Sequence, residues 1–377
     1  MSAETDVYDI AIVGAGMVGA SIAYHAAPGC RMLILEGESA AGYHSTGRSA
    51  AVFAEAYGPP PVRALTRASR AFFLSPPEGF ADSPLLHKRG ALFVGRDDQA
   101  DEIEAEYRQL RADGGDAELI DTQTAQGYVP VLRPEAAASA IIDHDALDID
   151  VDLLLQGFLK AARHSGATVV RNARVTDLDD REGCWEIATG SGDRYRTKTL
   201  VNGAGAWADE LAGLAGIARV GLQPKRRSAF LFDPPDRVDT SGWPLVVAID
   251  EAWYFKPDAG LLLGSPANAD PVPPQDVVAE DYDIQLGVHL IEEATTMTIR
   301  RPSHTWAGLR SFVTDGNPVL GFDPEHPRFF WAAALGGYGI QTAPAMGRYC
   351  AGLLLDGAAP ADILDQGLEP ETLRPGR

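Results

Sequence analysis

Three glycines near the start of the chain, Gly14, Gly16 and Gly19, have the G-x-G-x-x-G spacing, and an acid, Glu36, follows 20 residues after Gly16. Together these residue types can hold a dinucleotide. One glycine makes a tight turn, one lets backbone approach a pyrophosphate, and one allows a helix to pack closely on a strand. A helix N-terminus then meets the phosphates with unpaired amides and its positive dipole end, so no basic side chain is required. The acid is placed to accept hydrogen bonds from a ribose diol. This chemistry needs a strand before the glycines, a helix after them and a second strand ending at the acid. The sequence supplies all three: the apolar run Tyr8 to Val13, the segment Ala20 to Ala27 stopped by Pro28 and Gly29, and Arg31 to Leu35.

The stretch 37–51 is rich in glycine and hydroxyls and carries one arginine, Arg48. A simple nicotinamide domain would pass from its second strand into an ordinary crossover helix. This stretch instead predicts a polar loop that wraps a long cofactor and opens a helix over 45–51, its hydroxyls and amides holding phosphate and flavin ring together.

The chain has 377 residues, 45 % hydrophobic and 23 % charged, with a net charge of −21. This is a globular composition with length for two domains. The charge disfavours nucleic acid and anionic lipid surfaces. Residues 1–6 are acidic where a secretory leader would be basic, and no apolar run approaches the ~20 residues of a membrane span, which predicts a cytoplasmic protein without an integral membrane segment. Cys30, Cys184 and Cys350 form no paired motif and read as small buried hydrophobes, and the histidines show no metal-ligand spacing.

Further along, a helical pattern runs from Asp150 to His164, and 199–207 repeats the logic of a buried strand entering small residues. Short strands separated by proline and glycine between Ser228 and Gly264 predict an antiparallel sheet. A strand from Arg328 to Ala334, the glycine-rich 336–339 and a helix from Ala343 to Leu355 close the chain, with the helix start beside Gly339 suited to stabilising negative charge on a reduced flavin. The predicted fold class is α/β: a Rossmann-like FAD-binding domain (1–57, 140–215 and 315–365) and a discontinuous α+β substrate-binding domain with an antiparallel sheet (58–139 and 216–314).

The segments 42–51, 221–230, 305–312 and 336–342 resemble the flavin-dependent amine oxidoreductases of the D-amino acid oxidase superfamily, which include glycine and sarcosine oxidases, and are most similar to the bacterial D-arginine dehydrogenase type. The resemblance runs through nearly the whole chain. It implies an FAD-dependent oxidoreductase that takes a hydride from the α carbon of a D-amino acid, giving an imino acid that water converts to a 2-oxo acid and ammonia. It also implies that residues 199–207 lie near the adenosine half of the cofactor. The FAD-binding residues it implies, together with those read above, are Gly14, Gly16, Val18, Gly19, Glu36, Gly37, Ser45, Thr46, Gly47, Arg48, Ser49, Ala50, Ala51, Val52, Val175, Gly205, Gly337, Tyr338, Gly339 and Ile340. The implied substrate residues are Arg227 and Arg310, clamping the carboxylate, with the hydroxyls of Tyr57 and Tyr254. Arginine suits this role because its planar fork makes two parallel hydrogen bonds to a carboxylate. Read without the resemblance, Arg227 is one of a basic triplet 225–227 and Tyr254 is flanked by Trp253 and Phe255, patterns more usual for a solvated face and a core.

No strong general base stands out, and alignment with loss of an amine proton to solvent suffices. The D-arginine dehydrogenase type implies an acid where Ala91 stands and an imidazole at Val52. Their absence predicts neutral or apolar D-amino acids, with Glu55 a replacement charge or an exposed helix residue. No cysteine lies within 305–321, so FAD is expected to bind non-covalently. The electron acceptor, whether quinone, dye or dioxygen, is left open. Alternatives are an oxidase of N-methylated or secondary amino acids, a non-catalytic flavin-binding protein and a nicotinamide-dependent dehydrogenase.

Overall fold

The computed structural model describes residues 7–377; the acidic residues 1–6, and with them the start of the expected 1–57 segment, lie outside the described residues. Val7–Val13 is flanked in parallel by Met32–Leu35 and Arg194–Asn202, and Met32–Leu35 by Thr168–Val170. Phe329–Ala333 also pairs in parallel with Arg194–Asn202, and three antiparallel strands complete an eight-stranded sheet. Residues 10–13 and Met32–Leu35 are apolar without alternation because helices pack on one face and, on the other, a short helix, loops and side chains of the antiparallel strands such as Trp185 and Ile187. Met17–Ala26 packs between Val151–His164 and Ala343–Leu355. It meets the last at backbone distance: Ser21 Oγ donates to the Ala343 carbonyl at 2.5 Å, and a Cβ on Gly347 would strike Ser21.

A nine-stranded sheet forms the second body, its strands antiparallel except for Leu245–Ala248 against Ala91–Gly95. Gln223–Phe232 is its longest strand and pairs with His304–Phe312 along nine residue pairs, from Gln223 opposite Phe312 to Leu231 opposite His304. Ser139–Asp143 corrects the expected boundary at residue 140. It pairs with Ala91–Gly95 and Ala117–Asp121 in this sheet, since its buried Ile141 and Ile142 pack with the cores there rather than under the parallel sheet. Val52–Phe53, Leu86–Lys88 and Leu147–Ile149 make a small third sheet.

Two local expectations are also corrected. Only a short 3₁₀ turn, Thr46–Arg48, occurs within 45–51. Side chains there bond to distant elements instead of the local backbone, Ser45 Oγ to the Leu309 carbonyl at 2.6 Å and Thr46 Oγ1 to the Met17 amide at 3.1 Å, and the chain is extended at Ser49. The helix Ala343–Leu355 begins a full turn beyond Gly339. Of the three free cysteines only Cys350 is fully buried. No helix among the described residues is long and apolar enough to cross a membrane.

Candidate active site

One continuous cavity runs from the glycine turn to the nine-stranded sheet. At its first end the walls are backbone. Gly14 has φ +106°, a conformation that glycine adopts freely, and any Cβ on it would collide with the Gly203 carbonyl. A Cβ on Gly19 would collide with the Gly14 carbonyl, so the helix can start this close to the strand only with glycine there. No side chain of Gly16 caps the helix that follows; the Met17 amide is satisfied by Thr46 Oγ1. Glu36 is 9 % exposed, and its carboxylate accepts from the Ala15 amide at 2.8 Å and the Glu38 amide at 2.9 Å. A carboxylate has about four acceptor positions, so this one is fixed in place with capacity left for a diol.

The middle of the cavity is crossed by loop 42–51. Arg48 does not hold its charge free for a phosphate. Its Nη1 donates to the carbonyls of Val277 (2.8 Å) and Ala307 (3.1 Å), Nη2 to Asp276 and Nε to the Tyr43 carbonyl, which straps the loop to the second body. His44 sits between Glu38, 3.1 Å away, and the Trp207 ring, 4.5 Å between centroids.

At the far end the walls are side chains. Because successive residues of a strand face opposite ways, Arg226 and Arg227 have different fates. Arg226 turns away to three carboxylates, with Nε on the buried Asp283 at 2.9 Å, Nη1 on the exposed Glu280 and Nη2 3.6 Å from the exposed Asp270. Arg227 turns to the cavity, its Nε donating to the Asn268 carbonyl at 2.6 Å and its terminal nitrogens without a hydrogen bond among the described residues. On the adjacent strand Lys225 opposes Arg310 and Arg227 opposes Gly308, so the diagonal neighbours Arg227 and Arg310 share a face.

Arg310 Nε donates to the Gly336 carbonyl and Nη2 to the Tyr57 hydroxyl, both at 3.2 Å. A Cβ on Gly337, whose φ is +91°, would run into that guanidinium. Burial and then the nearby Arg310 lower the pKa of Arg227. Burial, the largest influence, opposes the charge of Arg310 too, but the hydroxyls of Tyr57, Tyr338 and Tyr254 together outweigh it and the net shift is upward. Such a pair of cations, each bonded to the protein through Nε, wants an anion between them. Tyr254 lines the same space, and the Tyr338 ring, 5.1 Å from that of Tyr57, backs it, its hydroxyl pushed up to about 12 by burial.

Of the residues singled out from sequence, Gly19, Gly47 and Tyr338 lie behind the cavity wall; the remaining cofactor and substrate candidates line it. Gly47 closes the turn, its amide donating to the Gly42 carbonyl at 2.8 Å. Glu55 does not reach the cavity and pairs with Arg70 at 3.1 Å.

Sequence reasoning missed the acids of the far end. Glu106, Asp143 and Glu251 all line it. Asp143 stands opposite Ala91 in the strand ladder, so a carboxylate lies across from position 91. Burial raises the pKa of Glu106 and of Asp143, and for Glu106 the Glu251 charge adds to this. Gln341 was also missed: it accepts from the Ala54 amide and donates to the Tyr57 carbonyl, both at 3.3 Å, holding the loop that carries Tyr57. The available signals were its position just after the 336–339 glycines and its place in the 336–342 segment that carries the resemblance.

A family model described as DAO, FAD dependent oxidoreductase, matches residues 9–353. A glycine oxidase of Geobacillus kaustophilus is 25 % identical, with 93 % of each chain covered. Human mitochondrial dimethylglycine dehydrogenase is 23 % identical over 97 % of this chain, which spans only 45 % of that protein. In three dimensions the crystal structure of glycine oxidase from Geobacillus kaustophilus superposes with a TM-score of 0.82 at 23 % identity, covering 95 % of this chain and 96 % of that one.

Proposed function

We propose, from the premise that this chain belongs to the DAO family of FAD dependent oxidoreductases, that it oxidises D-amino acids at the α carbon. FAD is its cofactor, and the glycine cradle, the fixed Glu36 and the continuous cavity fit that group. When bound, FAD supplies a two-electron acceptor. Gly14, Gly16 and the start of Met17–Ala26 would hold its pyrophosphate and Glu36 a ribose. No cysteine lines the cavity among the described residues, in keeping with non-covalent binding.

The observation that carries the reading is the pair Arg227 and Arg310, with Tyr57 and Tyr254 beside them. The guanidiniums take the substrate carboxylate, and this grip on one end of the molecule restricts the rotation of its α carbon. The tyrosine hydroxyls add neutral hydrogen bonds. The amine loses its proton to solvent, its lone pair forms the C=N bond as hydride leaves the α carbon, and the imino acid is hydrolysed to a 2-oxo acid and ammonia. Asp143, Glu106 and Glu251 revise the expectation drawn from Ala91: they favour a cationic or neutral side chain and oppose an anionic one.

A panel of D- and L-amino acids, with an artificial electron acceptor and an anaerobic flavin-bleaching readout, tests this. Bleaching by D-amino acids with cationic or neutral side chains is expected. Bleaching by L-enantiomers alone would overturn it. The similarity to dimethylglycine dehydrogenase over nearly the whole chain supports a second reading, oxidation of N-methylated amino acids by the same clamp, and turnover of sarcosine and dimethylglycine but no primary amine would select it.

A further inference from the structure

Arg227 is aimed by a network that lies behind the cavity wall apart from Ala267, which lines it. Among the described residues its only hydrogen bond is through Nε to the carbonyl of Asn268, in the loop that follows Leu261–Ser265. That loop is held from both sides. Asn268 Oδ1 accepts from the Ser228 amide at 2.8 Å, and Asn268 Nδ2 donates to Asp270 at 2.7 Å and Asp283 at 3.0 Å. Ser265 Oγ donates to the Ser228 carbonyl at 2.7 Å and accepts from the Ala267 amide at 3.0 Å, holding Ala267 at a left-handed φ of 48°. A non-glycine residue persists in that conformation only where its surroundings over-determine it.

At the centre is Asp283, 4 % exposed, whose Oδ2 receives Arg226 Nε (2.9 Å), Ser228 Oγ (2.7 Å) and Asn268 Nδ2. The strand around Arg227 is thus tied to the same loop through the residues on either side of it. A guanidinium held only at Nε can still swing its two terminal nitrogens, and the position of the accepting carbonyl decides where they point.

We infer that Asn268, anchored by Asp283 and Ser265, is a positioning residue that sets the carboxylate-binding fork of Arg227. This deepens the proposed function and rests on it. The network fixes the Asn268 carbonyl, the carbonyl fixes Nε, and both terminal nitrogens are left free for the substrate in one plane.

The test is a double-mutant cycle on the FAD-loaded protein with Asn268→Ala and Arg227→Met, reading the Kd of propanoate, a carboxylate with no amine to oxidise, by flavin absorbance. Propanamide is the control, and KM and kcat are measured in parallel. Asn268→Ala is expected to raise the propanoate Kd and the amino acid KM about tenfold with little change in kcat or in propanamide binding, and to have less than a twofold effect in the Arg227→Met background. Ser265→Ala, which loosens the loop from its other side, should shift propanoate binding in the same direction. Equal losses in both backgrounds, or no loss from either loop variant while Arg227→Met weakens propanoate, overturn the inference and leave the clamp standing. No loss from Arg227→Met overturns the clamp and this inference together.

Discussion

At the nucleotide end the cavity wall is backbone, with Gly14 pressed on Gly203, Gly19 on Gly14 and one carboxylate fixed by two amides. At the substrate end the wall is charge: two guanidiniums on one side and three carboxylates lining the same space. A backbone wall recognises by shape and by amide dipoles, and tolerates no added atom. A side-chain wall recognises by formal charge, and can be retuned by substitution without moving the chain. The first end therefore suits one constant ligand, and the second a ligand whose identity can drift between relatives.

This contrast is broken most forcefully at Arg310. Arg310→Met should lower kcat/KM for amino acids about 10³-fold, since charge-assisted hydrogen bonds are worth ~1.5–3 kcal/mol each, while flavin content is unchanged. Loss of flavin from that variant would mean the ends are not separable. Behind the nucleotide end, burial lowers the pKa of His25 to about 4. The folded state holds it neutral, so between pH ~6.5 and about 4 the unfolded chain takes up a proton that the native one refuses. Stability should fall through that window by up to about 3 kcal/mol, and urea melts at stepped pH should show a shallower fall for His25→Gln.

Gly14→Ala should weaken FAD binding about 100-fold by forcing the Gly203 backbone away, measured by flavin release on dilution. Its amino acid KM, corrected for flavin content, should stay near the parent value. The smallest effect is on side-chain selectivity. Glu106→Gln should raise KM about threefold for a D-amino acid with a cationic side chain and leave a neutral one unchanged. Because the pKa of Glu106 is raised, the parent should lose this preference at a higher pH than an ordinary glutamate would allow as acid is added.

The two ends also differed in how readily they could be read. Glycine spacing, the apolar strand and Glu36 are close in sequence, and each is forced by local sterics, so the nucleotide end is written in one stretch of chain. The helix Ala343–Leu355 was legible for the same reason, with proline in its first turn and apolar residues after it. Asp143 on a strand, Glu106 on helix Ala100–Ala112 and Glu251 in a turn reach one space only because the tertiary fold packs elements far apart in sequence, and no short-range pattern encodes that. Asp143 was hidden further because the range 140–215 was expected in the FAD-binding domain, whereas Ser139–Asp143 pairs in the nine-stranded sheet. Loop 45–51 was misread as a helix because its serine and threonine look like caps, whereas their partners are Leu309 and Met17, which only the tertiary fold brings near.

The alternation that sends Arg226 inward and Arg227 outward has a genetic corollary. Inserting one codon early in Gln223–Phe232 would put Arg226 in the place that now faces the cavity and Lys225 among the acids, whereas deleting one would put Arg227 among the acids and Ser228 in the cavity-facing place. Composition, length and hydrophobicity would scarcely change, yet such an indel should be far less tolerated than most point substitutions in the same strand.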